Sequence, residues 1–195
     1  MKANLTSKNY YYFVATLPSI KYGDTPPLSS EEFEAECYRR LSPGDAAFIP
    51  YCRYDPKMAV ETVKPTGSSF IDQFLLFERI FLLNLAALRN SKLGRPAVAE
   101  PPADIPRTVA KAKNVFELDD PLEATLSIDR NRWGILDTMA SMERIFKADR
   151  VYAQLLKIKL LERKQIFDSK EKGLEKFQER YGAIMDEYMH GSVPW

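Results

Sequence analysis

The sequence predicts a mainly α-helical protein: a bundle of short and long antiparallel helices, divisible into two similar helical units, with at most a short N-terminal strand. Three observations predict it. Capping signals recur along the chain as Ser29 with Glu32, Ser42-Pro43, Asp55-Pro56 and Asp120-Pro121. Each pairs a side chain that can accept from a free helical N–H with a Pro or Glu suited to the first turn. Apolar residues recur at three- and four-residue steps over long stretches, the mark of helical faces. No strand–helix alternation is visible, so a parallel sheet is not expected.

The elements follow in order. Tyr10 to Leu17 is rich in aromatic and β-branched residues, a composition that favours a strand. Pro18 closes it, and Lys21 to Leu28 reads as loop from its Gly and Pro content. Phe33, Cys37 and Leu41 then line one helical face. Short helices separated by sharp turns continue past Asp55-Pro56. Ser68 or Ser69 opens a longer helix that ends near Leu93-Gly94. Phe70, Phe74, Phe77, Phe81, Leu85 and Leu88 form its stripe, widened by Ile71, Leu75, Leu82 and Leu83. A face this broad implies burial on more than one side.

Prolines at 96, 101, 102 and 106 exclude a continuous helix between residues 94 and 106. Residues 94–114 therefore read as a Pro-rich linker or loop, with a polar, basic and mobile end over Arg107 to Asn114. It separates an N-terminal helical part, 1–93, from a C-terminal long-helix part, 115–195; the two can pack as one domain. From Asp120 the helical pattern runs to about Asp168, with breaks expected near Asn131 and Gly134 or at Lys147 to Asp149. A last helix is expected over Glu171 to Met189, with Leu174, Phe177, Tyr181, Ile184 and Tyr188 on one face. The segments 77–89 and 155–167 are weakly alike, since both are apolar helices with internal charges that close before a Gly.

Composition narrows function. The 195 residues carry 28 basic and 27 acidic side chains, a net charge of +1. That balance argues against a protein built to grip a phosphate backbone, so no nucleic-acid partner is expected. A single histidine, His190, and two cysteines, Cys37 and Cys52, exclude a multi-histidine zinc site and a disulfide framework. His190 lies near a fraying end, so it reads as a residue favoured by a helix C-terminus and not as a base. Cys37 reads as a small core residue, and Asp119-Asp120 as a helix cap and its neighbour. No P-loop and no G-x-G-x-x-G is present, which removes the common nucleotide sites. Catalytic, cofactor-binding and metal-ligating residues are accordingly expected to be none, cofactors none, and the protein not an enzyme. The N-terminus lacks a signal-peptide core, and charges interrupt the apolar run Phe70 to Leu88, so no transmembrane segment is expected. The expected location is cytoplasmic, at most peripheral at the inner face of the cell membrane.

Glu78, Arg79 and Asn84 fall inside the apolar helix, and Lys157, Lys159, Glu162, Arg163 and Lys164 inside the later one. A solvated helical face is the plainer expectation for them. Glu162 with Arg163 as a buried or interfacial pair is the sharper one.

Two stretches carry a resemblance. Tyr10-Tyr-Tyr-Phe-Val-Ala-Thr-Leu-Pro18, with the Pro26-Pro27 loop and Ser29-Ser-Glu-Glu-Phe33, resembles a bacterial family encoded beside V-type ATPase subunits. Asp149-Arg-Val-Tyr-Ala-Gln-Leu-Leu-Lys-Ile-Lys-Leu-Leu-Glu-Arg163, Ile166-Phe-Asp168 and Gly173-Leu-Glu-Lys-Phe177 resemble the same family. The resemblance implies a stand-in for the stalk-socket component of the V/A-type rotary ATPase. It further implies an all-helical, non-catalytic part that sits on the membrane rotor ring and receives the foot of the central stalk. Central-stalk and rotor-ring subunits are then the expected partners. The alternative is a helical adaptor or scaffold unrelated to rotary ATPases.

Overall fold

The computed structural model describes residues 10–96, 108–140 and 147–168. Among these residues there are eight α-helices, one 3-10 turn and no strand: α1 Tyr11–Ala15, α2 Ser30–Arg40, α3 Pro43–Ala46, a 3-10 turn Ile49–Tyr51, α4 Pro56–Glu61, α5 Ser69–Lys92, α6 Thr108–Phe116, α7 Pro121–Met139 and α8 Ala148–Asp168. The expected mainly α class is what the molecule has.

The caps stand where the sequence signals put them. Ser29 and Glu32 make a reciprocal capping box on α2. Ser42 accepts from the N–H of Asp45, Asp55 from those of Lys57 and Met58, and Asp120 from that of Leu122. Each satisfies one or two of the donors that a helix start leaves open. Ser68 caps α5, and Gly94 follows its end at φ +64°. A left-handed residue there suits Gly, which has no Cβ to clash.

The N-terminal aromatic segment departs from expectation: Tyr11–Ala15 is one turn of helix, not a strand. Among the described residues no strand exists to pair with it, and packing and side-chain hydrogen bonds hold it instead. Phe13 is buried against Phe33 and lies under the Arg40 guanidinium. The Tyr10 hydroxyl donates to Asp45 and accepts from the N–H of Ser42 at 3.1 Å. A second departure is α6, which starts at Thr108 inside the stretch read as a linker and loop. Thr108, Ala112 and Val115 form its buried face. That short stripe has the helical period, but neighbouring Lys and Asn mask it. A third is α7, which runs unbroken through Asn131 and Gly134; the next helix starts at Ala148. The helix expected over 171–189, with His190 and Trp195, lies outside the described residues.

Helix α5, about 36 Å long at 1.5 Å per residue, joins two cores. Its first half, Phe70, Ile71, Phe74 and Leu75, enters the main core with α2, α7 and α8. Its second half, Phe77, Phe81 and Leu85, packs with Ala112 and Val115 of α6. The broad apolar face is thus divided between two neighbours, as its width implied. At the centre of the main core lies α8, where every residue from Val151 to Leu161 except Lys159 is buried. It runs antiparallel to α7, since Asp129 meets Arg163 while Asp137 meets Lys157.

Truncating Leu156, fully buried on α8, to Ala is expected to cost about 2–5 kcal/mol through lost burial and the cavity left behind. Leu122→Ala, at a side chain 45% exposed, is expected to stay within about 0.5 kcal/mol. Urea midpoints of the two variants check the pair, and equal losses would contradict the placement of α8 at the core.

Candidate functional site

The feature that stands apart from an ordinary helical core is a chain of charges at the junction of α5, α7 and α8. Glu78 of α5 is buried and accepts from Arg132 of α7 through both carboxylate oxygens, at 2.8 and 2.7 Å. This two-bond fork is the strongest arrangement available to an Arg–carboxylate pair. The third nitrogen of Arg132 donates to Asp129, one helical turn earlier, at 3.0 Å. The other oxygen of Asp129 lies 3.1 Å from Nε of Arg163 on α8. Those two atoms are close but misaligned, and each lacks a hydrogen-bond partner among the described residues. Tyr54 covers the cluster, with its ring 4.7 Å from the Arg132 guanidinium and its hydroxyl donating to the carbonyl of Leu156. Two carboxylates meet two guanidiniums, so the chain of charges is neutral overall.

Burial and pairing compete at Arg132 and at Asp129. For Arg132, burial alone disfavours the charge, but the Glu78 carboxylate, aided by Asp129, outweighs it and the guanidinium is held more firmly protonated than usual. For Asp129, burial wins: its carboxyl is raised above the ordinary value although Arg163 and Arg132 both pull it down. Asp129 is 0% exposed while Arg163 keeps a side chain 38% open to water. The link from α7 to α8 is therefore the loosest of the cluster.

The solvated face expected for these charges is overturned. Glu78 and Lys157 are buried; Arg79 is partly buried and donates to the carbonyls of Ala59 and Thr62, tying α4 to α5. Asn84 returns to its own helix, donating to the Ile80 carbonyl at 2.7 Å. Lys157 pairs with Asp137 and lies over the Trp133 ring. Lys159 pairs with Glu34 and donates to the Cys52 carbonyl at 2.8 Å. Glu162 and Arg163 do not pair with each other: Glu162 accepts from the N–H of Ser30 at 2.6 Å, while Arg163 turns to Asp129. Consecutive residues on a helix point about 100° apart, so each finds its own neighbour. Sequence reading misses Asp129 and Arg132 altogether. Their signal is a charged pair at i, i+3 on a helix that also carries Trp133 and Leu136.

The other candidates are quieter. Cys37 and Cys52 are both free and buried. Burial, with Glu34 and Glu36 adding to it, pushes the Cys37 thiol up to about 12; burial pushes Cys52 up as well. Neutral buried thiols are poor nucleophiles. Between α4 and α5 lies a hollow of about 170 Å³ with Val63, Pro65, Leu75 and Leu76 on its walls. Its polar groups are already engaged, Asp72 by Thr66 and Arg79 by backbone carbonyls. Among the described residues no three His, Cys, Asp or Glu side chains converge as metal ligands, and no helix is long and apolar enough to cross a membrane. No protein-family model, curated protein or solved structure matches the chain.

Two outcomes check the site. Arg132→Met alone is expected to cost about 3–5 kcal/mol, because it strands Glu78 as a buried unpaired charge. Glu78→Leu with Arg132→Met removes one charge of each sign and leaves Asp129 facing Arg163. Most of the loss is expected to return in the double variant, and a double-mutant cycle in urea reads the coupling. In the native protein, Cys37 and Cys52 are expected to react with a thiol reagent only as fast as the fold opens, which timed labelling with and without denaturant measures.

Proposed function

We propose that the chain is a non-catalytic coupling part of a V/A-type ATPase, linking the central stalk to the membrane rotor ring. The observation that carries the reading is the contact between the two stretches that bear the resemblance. Tyr10–Pro18 and Ser29–Phe33 lie against α8, the helix that holds Asp149 to Arg163. Gln154 donates to the carbonyl of Pro18 at 2.9 Å, and Glu162 accepts from Ser30. Residues 136 and 132 positions apart thus belong to one packed unit, so the likeness at the two ends is a likeness of one structural piece. A part that passes torque needs helices that do not bend independently. Here α5, α7 and α8 are locked by paired charges as well as by apolar packing, and such networks favour one arrangement over its neighbours.

The test is affinity purification of the tagged chain from gently solubilised native membranes, with mass spectrometry of what accompanies it. Rotor and stalk subunits are expected at a fixed ratio, with crosslinks from the exposed ends of the helices. Recovery of the chain alone, beside an intact ATPase that lacks it, would sink the reading and leave a helical adaptor serving other partners.

A further inference from the structure

The charge cluster has one member that can leave it. Arg132 cannot, since it is buried and spends its guanidinium on Glu78 and Asp129. Glu78 is equally enclosed. Arg163 differs on three counts: its side chain is 38% open to water, its Nε has no aligned acceptor, and it stands near the end of α8. What holds it inward is one carboxylate oxygen of Asp129, at 3.1 Å.

We propose that Arg163 is a proton-gated latch: with Asp129 ionised its guanidinium lies inward against the carboxylate, and with Asp129 protonated it swings out to water. The proton goes to the unpartnered oxygen of Asp129, the one that faces Arg163. The charge count supplies the force. Ionised, the cluster holds Glu78 and Asp129 against Arg132 and Arg163, two of each sign. Protonated, it holds one carboxylate against two guanidiniums. An unpaired cation in a buried site is costly, and the cation with a path to water departs. The groups that face Asp129 are Glu78 from α5, Arg132 from its own helix and Arg163 from α8; Tyr54 covers them from the loop before α4. Of the two carboxylates, Glu78 has both oxygens engaged by Arg132, whereas Asp129 keeps one without an aligned donor. Burial raises the Asp129 carboxyl, so the gate operates above the usual carboxylate range.

The sign of the linkage keeps the fold intact while the latch opens. A carboxyl whose value is raised in the folded state binds its proton more readily there than in the unfolded chain. Its contribution to stability is present at low pH and lost as pH rises through the folded value. Protonating Asp129 therefore does not itself drive unfolding. Helix α8 stays seated through Tyr54, Gln154, Lys159 and Glu162, so the movement is that of one side chain. It matters at the surface, because Ile166 and Phe167 stand open beside Arg163, whose guanidinium is 5.7 Å from the Phe167 ring. Acid changes where the cation beside that apolar pair is held.

Nitrogen-15 NMR of the whole chain reads the latch directly through the arginine Nε–Hε signals, with Arg163→Gln identifying the one that belongs to Arg163. As pH falls from neutral, that signal is expected to move toward the position of a free arginine, with the midpoint of the Asp129 carboxyl carbon titration. In Asp129→Asn the signal is expected at the free position at every pH. In Arg163→Gln, a substitution at a partly exposed site, the Asp129 midpoint is expected to rise, because a neighbouring cation has been removed. A signal that ignores the Asp129 titration overturns the proposal. So does an Asp129 midpoint unchanged by Arg163→Gln, which remains readable even if Asp129→Asn fails to fold.

Discussion

A helix buried on nearly all sides, yet carrying cations, is the constraint around which this molecule is arranged. Helix α8 is enclosed from Val151 to Leu161 and still bears Lys157, Lys159 and, just beyond, Arg163. A buried charge without a partner costs several kcal/mol, more than most single contacts contribute. Each surrounding element therefore supplies a group at a fixed place. Helix α7 supplies Asp137 and Asp129, α2 supplies Glu34, and the turn after the 3-10 segment supplies the Cys52 carbonyl. The polar side chains of α8 in turn reach outward. Tyr152 donates to the Asp45 carbonyl at 2.7 Å, and Gln154 to that of Pro18. The same helix thus sets the position of α2, α3, α7 and the N-terminal turn.

This arrangement explains what can be read from the sequence and what cannot. Caps depend on residues three or four apart, and the signals at Ser29, Ser42, Asp55, Ser68 and Asp120 all mark helix starts. The stripe on α5 depends only on helical period, and its width correctly implies two packing partners. The charge cluster depends on residues 54 positions apart, as Glu78 and Arg132 are. Nothing local in the sequence marks such a pair, so a solvated face is the plainer expectation. The Tyr10–Leu17 segment misleads for a related reason. Strand propensity reflects fit to a pleated surface beside another strand. Here the segment meets α2 and α3 instead, and Phe13 and Tyr10 find their places there.

The charge cluster does two different things along its length. Between Glu78 and Arg132 it is rigid, with two aligned bonds and both partners enclosed. Between Asp129 and Arg163 it is close but unaligned, and water reaches one side. A buried pair replaced by apolar residues is often no less stable, so stability alone does not account for keeping four charges here. The rigid end specifies how α5 and α7 meet, because a two-bond fork tolerates little rotation. The loose end leaves α8 joined to α7 by an interaction that one proton can remove. A part that joins moving partners needs both properties, a stiff body and a surface whose charge responds to conditions, and one neutral cluster at a three-helix junction provides them together.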